Sequence, residues 1–178
     1  MALKPTIYKV QLELADSDNN RYDSLGLTLA QHPSETLERL AARLLAYCLN
    51  AGRGLEFTRG LSTADEPDLW QHSDNGEIAH WIEVGQPDEK CLRRAAGRSN
   101  QVCVFSYGGE VADSWWQQNR RKLQQMDKLT VYRVPQEASL ALAETVQRTM
   151  QLQCTIEDGS LMVTDGEQTI QLEMLKLK

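Results

Sequence analysis

Several classes of protein are excluded by what these 178 residues lack. No apolar run approaches the roughly 18 residues needed to span a bilayer, so no transmembrane helix is expected. The start, Met1-Ala2-Leu3-Lys4-Pro5, has neither the basic nor the long apolar region of a signal peptide, and a cytoplasmic protein is expected. There is no CxxC pair and no Cys/His knuckle. Cys48, Cys91, Cys103 and Cys154 are far apart, and buried reduced thiols fit them better than disulfides or zinc. His32, His72 and His80 share no metal-ligand spacing, and Ser34 and Ser106 lack a nucleophile-elbow context. Basic charge is also short. With 19 Lys and Arg against 25 Asp and Glu the net charge is −6, which argues against a sequence-independent nucleic-acid coat but leaves room for a local basic cleft. No repeat, low-complexity tract or linker divides the chain, so residues 1–178 are expected to form one domain.

What remains is patterned as an α/β protein. Thr6 to Leu14 alternates, Asp16 to Asn20 is turn chemistry, and Leu25 to Ala30 alternates again, predicting an N-terminal β-hairpin. A helix capped by Ser34 should follow, with Leu37, Leu40, Ala41, Leu44 and Cys48 as its apolar stripe. Leu55–Thr58 and Leu69–His72 read as short strands. Asp74-Asn75-Gly76-Glu77 reads as a two-residue type I′ turn into a strand from Ile78 to Val84. Pro87 opens a helix carrying Lys90, Arg93 and Arg94, and Gln101–Tyr107 is a strand ended by Gly108-Gly109. Helices over Glu110–Gln125 and Glu137–Arg148 flank a strand at Leu129–Val134. Three short strands with turns at Asp158-Gly159 and Asp165-Gly166 close the chain. From Ser34 to Tyr107 the order is αβββαβ.

The Asn75-Gly76 hairpin carries the chemistry. With those two residues central to the turn, Trp70 faces Trp81 and Asp68 faces Glu83. Directly opposed residues of antiparallel strands have Cβ atoms about 4.5–5.5 Å apart. Two like charges so placed are unfavourable unless compensated, and a divalent cation bridging them would compensate. Mg²⁺ uses one or two carboxylates together with water and phosphate. The competing reading is a wet hairpin end with no ligand. Glu38, about 100° from Leu37 on the helical wheel, is a third acid at the margin of the stripe. It either reaches toward the hairpin or is solvated.

Pro67-Asp68, and Ile82-Glu83-Val84-Gly85-Gln86-Pro87-Asp88 running into a basic helix, resemble the variant nuclease signature of the YaeQ family. His32-Pro33-Ser34-Glu35-Thr36, Phe57-Thr58-Arg59-Gly60-Leu61, Asp65-Glu66-Pro67 and Trp115-Trp116-Gln117-Gln118-Asn119 carry the same resemblance over nearly the whole chain. It implies a mixed sheet with a restriction-endonuclease-like core of the PD-(D/E)XK type at about residues 34–107, the N-terminal hairpin and C-terminal antiparallel strands flanking it. By position Glu38 matches the helix glutamate, Asp68 the motif aspartate and Glu83 the second-strand acid. The motif lysine is missing, because Gly85 stands two residues after Glu83. Gln86 and Lys90 are the nearest replacements.

The resemblance implies metal-dependent hydrolysis of nucleic-acid phosphodiesters, with Asp68 and Glu83 holding Mg²⁺ or Mn²⁺, and Glu38, Gln86 and Lys90 completing the site. Arg59, Arg93 and Arg94 would offer a phosphate-binding surface, whereas Arg120-Arg121-Lys122 is explained by its place at a helix C-terminus. Of Trp115 and Trp116, one is expected in the core and at most one exposed for base stacking. The alternative is a non-catalytic interaction or regulatory module on a nuclease-derived scaffold. The intact acids favour the enzyme, and the missing lysine and acidic net charge favour the module.

Overall fold

The computed structural model describes residues 3–52, 54–59, 61 and 65–178. Met1, Ala2 and Gly60, which belong to stretches read above, lie outside the described residues. Two long strands, β1 (Thr6–Asp16) and β2 (Arg21–Gln31), form the expected hairpin and precede α1 (Leu37–Asn50). Then come β3 (Leu55–Phe57), β4 (Leu69–His72), β5 (Ile78–Val84), α2 (Glu89–Arg98) and β6 (Ser99–Ser106), so the αβββαβ order of elements is observed. The chain continues through α3 (Glu110–Leu123), β7 (Leu129–Arg133) and α4 (Gln136–Glu144), then β8 (Thr149–Glu157), β9 (Ser160–Thr164), β10 (Thr169–Glu173) and β11 (Leu175–Lys176).

The strands form two mixed sheets rather than one sheet with appendages. The first has the order β10-β9-β8-β1-β2, and the second β11-β7-β6-β5-β4-β3. β1 pairs with β8 in parallel, so the N-terminal hairpin and the C-terminal strands are one structure. The physical reason is burial. An isolated hairpin is marginal in water, and β1 and β8 each present an apolar face, with Val10, Leu12 and Leu14 beside Met150, Leu152 and Cys154. In the second sheet β5, β6 and β7 run parallel.

Helix α1 lies between the two sheets. Every residue from Leu40 to Cys48 is buried, including Arg43, so the helix is covered on all sides rather than along one stripe. Ala41, Ala42 and Ala46 let both sheets approach it closely, and one apolar cluster runs from Leu12 and Leu152 through α1 to Leu69, Ile82 and Phe105. α4 packs beside α1 in that layer. The other face of the second sheet packs α2 and α3 around Trp81, Leu92, Val104 and Leu123. Trp115 and Trp116 are both buried there, and the Trp115 Nε1–H donates to the Pro87 carbonyl at 2.7 Å, so neither serves as an exposed stacking platform.

Local differences from the expectation have identifiable causes. The cap of α1 is Thr36, which accepts from the Arg39 N–H, and not Ser34. Ser34 lies in a turn closed by the Glu35 N–H on the His32 carbonyl at 2.8 Å. Leu37, placed in the apolar stripe by spacing, is 39% exposed at the helix entrance. α4 ends at Glu144, where the Thr145 hydroxyl donates to the Leu142 carbonyl and β8 begins soon after.

The β4–β5 turn also differs. Ser73 N–H donates to the Glu77 carbonyl and Gly76 N–H to the Ser73 carbonyl, enclosing a three-residue loop with Gly76 at φ +85°. A type I turn followed by a left-handed glycine is the usual way to close such a loop. The change of register is undone further on: His72 pairs with Ile78 but Gln71 with His80, so Ala79 is an extra residue, and Trp70 faces Trp81 as expected.

Candidate functional site

The parallel strands β5, β6 and β7 end together, and in open α/β sheets the crevice beyond the carboxyl ends of strands is where ligands are bound. Four segments meet there: the first turn of α1, the residues before β4, the Val84-Gly85-Gln86 end of β5, and the Ser106-Tyr107 end of β6.

Asp68 stands one residue before β4 and is 3% exposed. Its N–H donates to the Ile82 carbonyl at 3.0 Å instead of pairing with Glu83, so the simple cross-strand opposition inferred from the turn does not hold at this position. Its side chain takes over the ladder instead: Oδ2 accepts the Val84 N–H at 2.7 Å. A group that accepts a ladder N–H lies close to the plane of the sheet, so the carboxylate is held against the β5 backbone next to Glu83. Oδ1 accepts from Arg39 Nη2 at 2.5 Å.

Glu83 occupies β5 itself. Its Oε1 accepts from the Trp81 Nε1–H at 2.8 Å, with the Cys91 thiol 3.7 Å away. Its carboxyl is pushed up from 4.5 to about 7, first by burial and then by the nearby Asp68 charge; the Trp81 hydrogen bond, Cys91 and Arg39 pull the other way without cancelling it. Cys91 is in turn raised to about 11 by burial and by Glu83, and is therefore a thiol rather than a thiolate nucleophile.

Glu38 accepts from the Ser139 hydroxyl of α4 at 2.9 Å, which places it on the α4 side of the crevice. Gln86 is fixed as a brace, donating to the Tyr107 carbonyl at 2.5 Å and the Ser106 hydroxyl at 3.2 Å. Lys90 is exposed on the first turn of α2. A lysine at the motif position would be strained here, because Gly85 has φ +120°, a conformation that L side chains rarely adopt. The three arginines proposed as a phosphate surface each have an acidic neighbour. Arg59 lies 3.7 Å from Glu66, Arg93 2.6 Å from Glu89, and Arg94 3.8 Å from Asp65.

The residue that sequence reasoning missed is Arg39. Its Nη1 lies 2.9 Å from Glu35 Oε1, and Nη2 reaches both Asp68 and, at 3.2 Å, the Val84 carbonyl. Burial works against its charge, but the Asp68 and Glu35 carboxylates outweigh that and hold the guanidinium above its ordinary value. Arg43 makes a second, fully buried pair with Glu35: Nε to Oε1 at 2.8 Å and Nη2 to Oε2 at 2.9 Å. The available signal was Arg43 itself, a cation inside an otherwise apolar stretch of helix. Such a residue needs a buried partner, and Glu35 stands two turns upstream.

Among the described residues no group of three or more His, Cys, Asp or Glu is arranged to hold a metal ion. Asp68 and Glu83 are nonetheless the hard oxygen donors that Mg²⁺ or Mn²⁺ prefers, and two carboxylates suffice when water and phosphate complete the shell. The donor set therefore fits such an ion, provided that Arg39 yields its place on Asp68. Among the described residues no helix is long and apolar enough to cross a membrane.

An α/β chain of two mixed sheets with four helices among the described residues, and two acids, buried Asp68 and part-buried Glu83, near the carboxyl ends of parallel strands, has clear relatives. The model of the YaeQ protein family matches residues 1–174. YaeQ of Salmonella typhi is 42% identical over 174 residues, covering 98% of this chain and 96% of the relative, and YaeQ of Escherichia coli K12 is 41% identical over the same length. Both carry the description "uncharacterized protein". The crystal structure of YaeQ from Xanthomonas axonopodis pv. citri superposes with a TM-score of 0.94 at 38% identity, covering 98% of each chain. That of YaeQ from Pseudomonas syringae gives 0.93 at 35% identity, covering 98% of this chain and 96% of the other. The chain belongs to the YaeQ family.

Proposed function

We propose that the crevice is a phosphodiester-handling site of the nuclease-like, PD-(D/E)XK type, in which Asp68 and Glu83 hold Mg²⁺ or Mn²⁺. The observation that carries this reading is the Asp68–Val84 hydrogen bond, which locks one carboxylate beside the backbone of the strand that bears the other. The αβββαβ order around the site supports the same core. Held by Asp68 and Glu83, such an ion would supply Lewis-acid chemistry, polarising a phosphoryl oxygen and lowering the pKa of a water. The chain's own residues hold and orient: Val84 N–H fixes Asp68, Trp81 fixes Glu83, and Gln86 ties the end of β5 to β6. Glu38, bonded to Ser139 of α4, and Lys90, exposed on the first turn of α2, are the further candidates on this reading, and Arg59, Arg93 and Arg94 would have to exchange their acidic neighbours for phosphate to contact nucleic acid.

The test is a pair of measurements on wild type and on Asp68→Ala plus Glu83→Ala. At a free ion concentration of 100 times the dissociation constant, linkage stabilises the fold by about 2.7 kcal/mol, so Mn²⁺ raises the wild-type melting temperature and leaves the double variant unmoved. Cleavage is then assayed on single- and double-stranded DNA and RNA. A wild-type melting curve indifferent to millimolar Mn²⁺ refutes the site.

A second reading is favoured by two observations. Arg39 already neutralises Asp68 and Gly85 leaves no lysine, which is how a non-catalytic interaction module on this scaffold would look. Mn²⁺ binding without cleavage of any of the four substrates would select it.

A further inference from the structure

The acidic crevice has a cation of its own, and its hydrogen bonds define what it can do. Arg39 bridges three segments, touching Glu35 at the start of α1, Asp68 before β4 and the carbonyl of Val84 at the end of β5. Its side chain is 11% exposed. The contacts differ in how far each partner depends on Arg39. Glu35 is held bidentately by Arg43, a fork of two hydrogen bonds that satisfies a carboxylate without further help. Asp68 has the Val84 N–H and Arg39, and no other ion pair is formed by its side chain among the described residues. Withdrawal of Arg39 therefore leaves Glu35 paired and Asp68 as an anion in need of a cation. There is room for the withdrawal, because a cavity of about 260 Å³ lined by His32, Arg43, Arg59 and Leu61 opens beside Arg39.

We infer that Arg39 is the resident cation of this site. It neutralises Asp68 when no divalent ion is bound, surrenders Oδ1 to the ion when one arrives, and then turns its charge to the phosphate, the role left vacant at Gly85. The inference rests on the carboxylate-pair reading given above. It requires Arg39 and the divalent ion to compete for one oxygen, and it makes a removed cation act in opposite directions on metal affinity and on turnover. A merely structural arginine would move both the same way. Lysine at position 39 keeps the charge but, as a compact point charge on a flexible stem, cannot fork between Glu35 and Asp68.

The experiment is calorimetric titration of Mn²⁺ into wild type, Arg39→Met and Arg39→Lys, with cleavage measured at saturating Mn²⁺. Arg39→Met is expected to bind Mn²⁺ at least tenfold more tightly than wild type and to cleave at least tenfold more slowly. Arg39→Lys is expected to bind at least threefold more tightly and to cleave at an intermediate rate. If Arg39→Met fails to fold because Asp68 is left unpaired, Arg39→Lys decides. Mn²⁺ binding to wild type with no tightening in either folded variant overturns the inference while leaving the carboxylate pair intact. Absence of binding in all three proteins overturns both. Tightened binding with unchanged cleavage overturns the phosphate-facing role.

Discussion

Replacing Glu83 by Gln isolates the electrostatics of the crevice without any assumption about a substrate. The amide keeps an oxygen where Oε1 accepts the Trp81 Nε1–H, so the 2.8 Å hydrogen bond survives and only the ionisable proton is lost. In the folded protein the carboxyl sits at about 7 against an ordinary 4.5, chiefly because it is buried and secondly because Asp68 is near. A displacement of one pH unit is worth about 1.36 kcal/mol, so ionising Glu83 costs on the order of 3 kcal/mol more in the folded state than in the unfolded chain. Between pH 4.5 and 7 the unfolded chain has released this proton while the folded protein still holds it. Stability from this group is therefore complete below about 4.5 and is lost as the pH rises through 7. Urea denaturation of wild type and Glu83→Gln across pH 4.5 to 8.5 reads the difference, in which titrating groups that do not interact with Glu83 cancel. The two proteins should be nearly equal at pH 4.5. At pH 8 the variant should be more stable by up to about 3 kcal/mol, which is roughly 6–12 °C in melting temperature for a chain of this size. A difference that stays constant within about 0.5 kcal/mol over that range would refute the buried, charge-crowded environment assigned to Glu83.

Mn²⁺ binding requires the ionised pair, so its affinity in wild type should be flat above pH 7 and weaken about tenfold for each pH unit below it; a pH-independent affinity in calorimetry would place the ion elsewhere. Trp81→Phe removes the hydrogen bond that favours the ionised form of Glu83, and the pH midpoint of the same binding curve should move upward. Gly85→Lys restores the motif residue in sequence but forces a side chain onto φ +120°; it should cost on the order of 1–3 kcal/mol of stability by urea titration and give no gain in cleavage, whereas a stable, faster variant would overturn the backbone account of the missing lysine. Lys90→Met should leave stability within about 0.5 kcal/mol and slow cleavage at least tenfold where Lys90 shares the phosphate-facing charge with Arg39; equal cleavage would clear Lys90 and leave that role to Arg39 alone. Ala42→Leu inserts three carbons where α1 meets two sheets, and a loss of about 1–3 kcal/mol by urea denaturation is expected.

Most elements could be read from the sequence because period and punctuation agree with the tertiary context. β1 and β8 alternate strictly, with Val10, Leu12 and Leu14 facing the core in one and Met150, Leu152 and Cys154 in the other. What alternation cannot give is the partner. Nothing local in Thr149–Glu157 says that it pairs in parallel with β1, more than 130 residues earlier in the chain. The Trp70–Trp81 register was legible for a reason that turn chemistry alone would have misjudged. The loop is one residue longer than an Asn-Gly turn implies, and the extra residue at Ala79 restores the pairing.

The acids of the site were legible as residue types, but their roles depend on an arrangement that no spacing encodes. Asp68 reads as a strand residue facing Glu83, yet it uses its side chain where the ladder would use a carbonyl, and that substitution depends on the backbone path before β4. Arg39 reads as half of an ordinary helical i,i+4 pair with Glu35, a contact worth a few tenths of a kcal/mol on a wet surface. Burial of α1 between two sheets changes its meaning. The run from Leu40 to Cys48 has no polar face except Arg43 and the Tyr47 hydroxyl, and a helix that is apolar all round must be covered all round. Once it is covered, a charge at its N-terminal end can be retained only against buried carboxylates, and the carboxylates within reach are Glu35 and Asp68. The same burial that hides Arg39 from a surface reading is thus what brings a cation to the one strand end where Gly85 offers none.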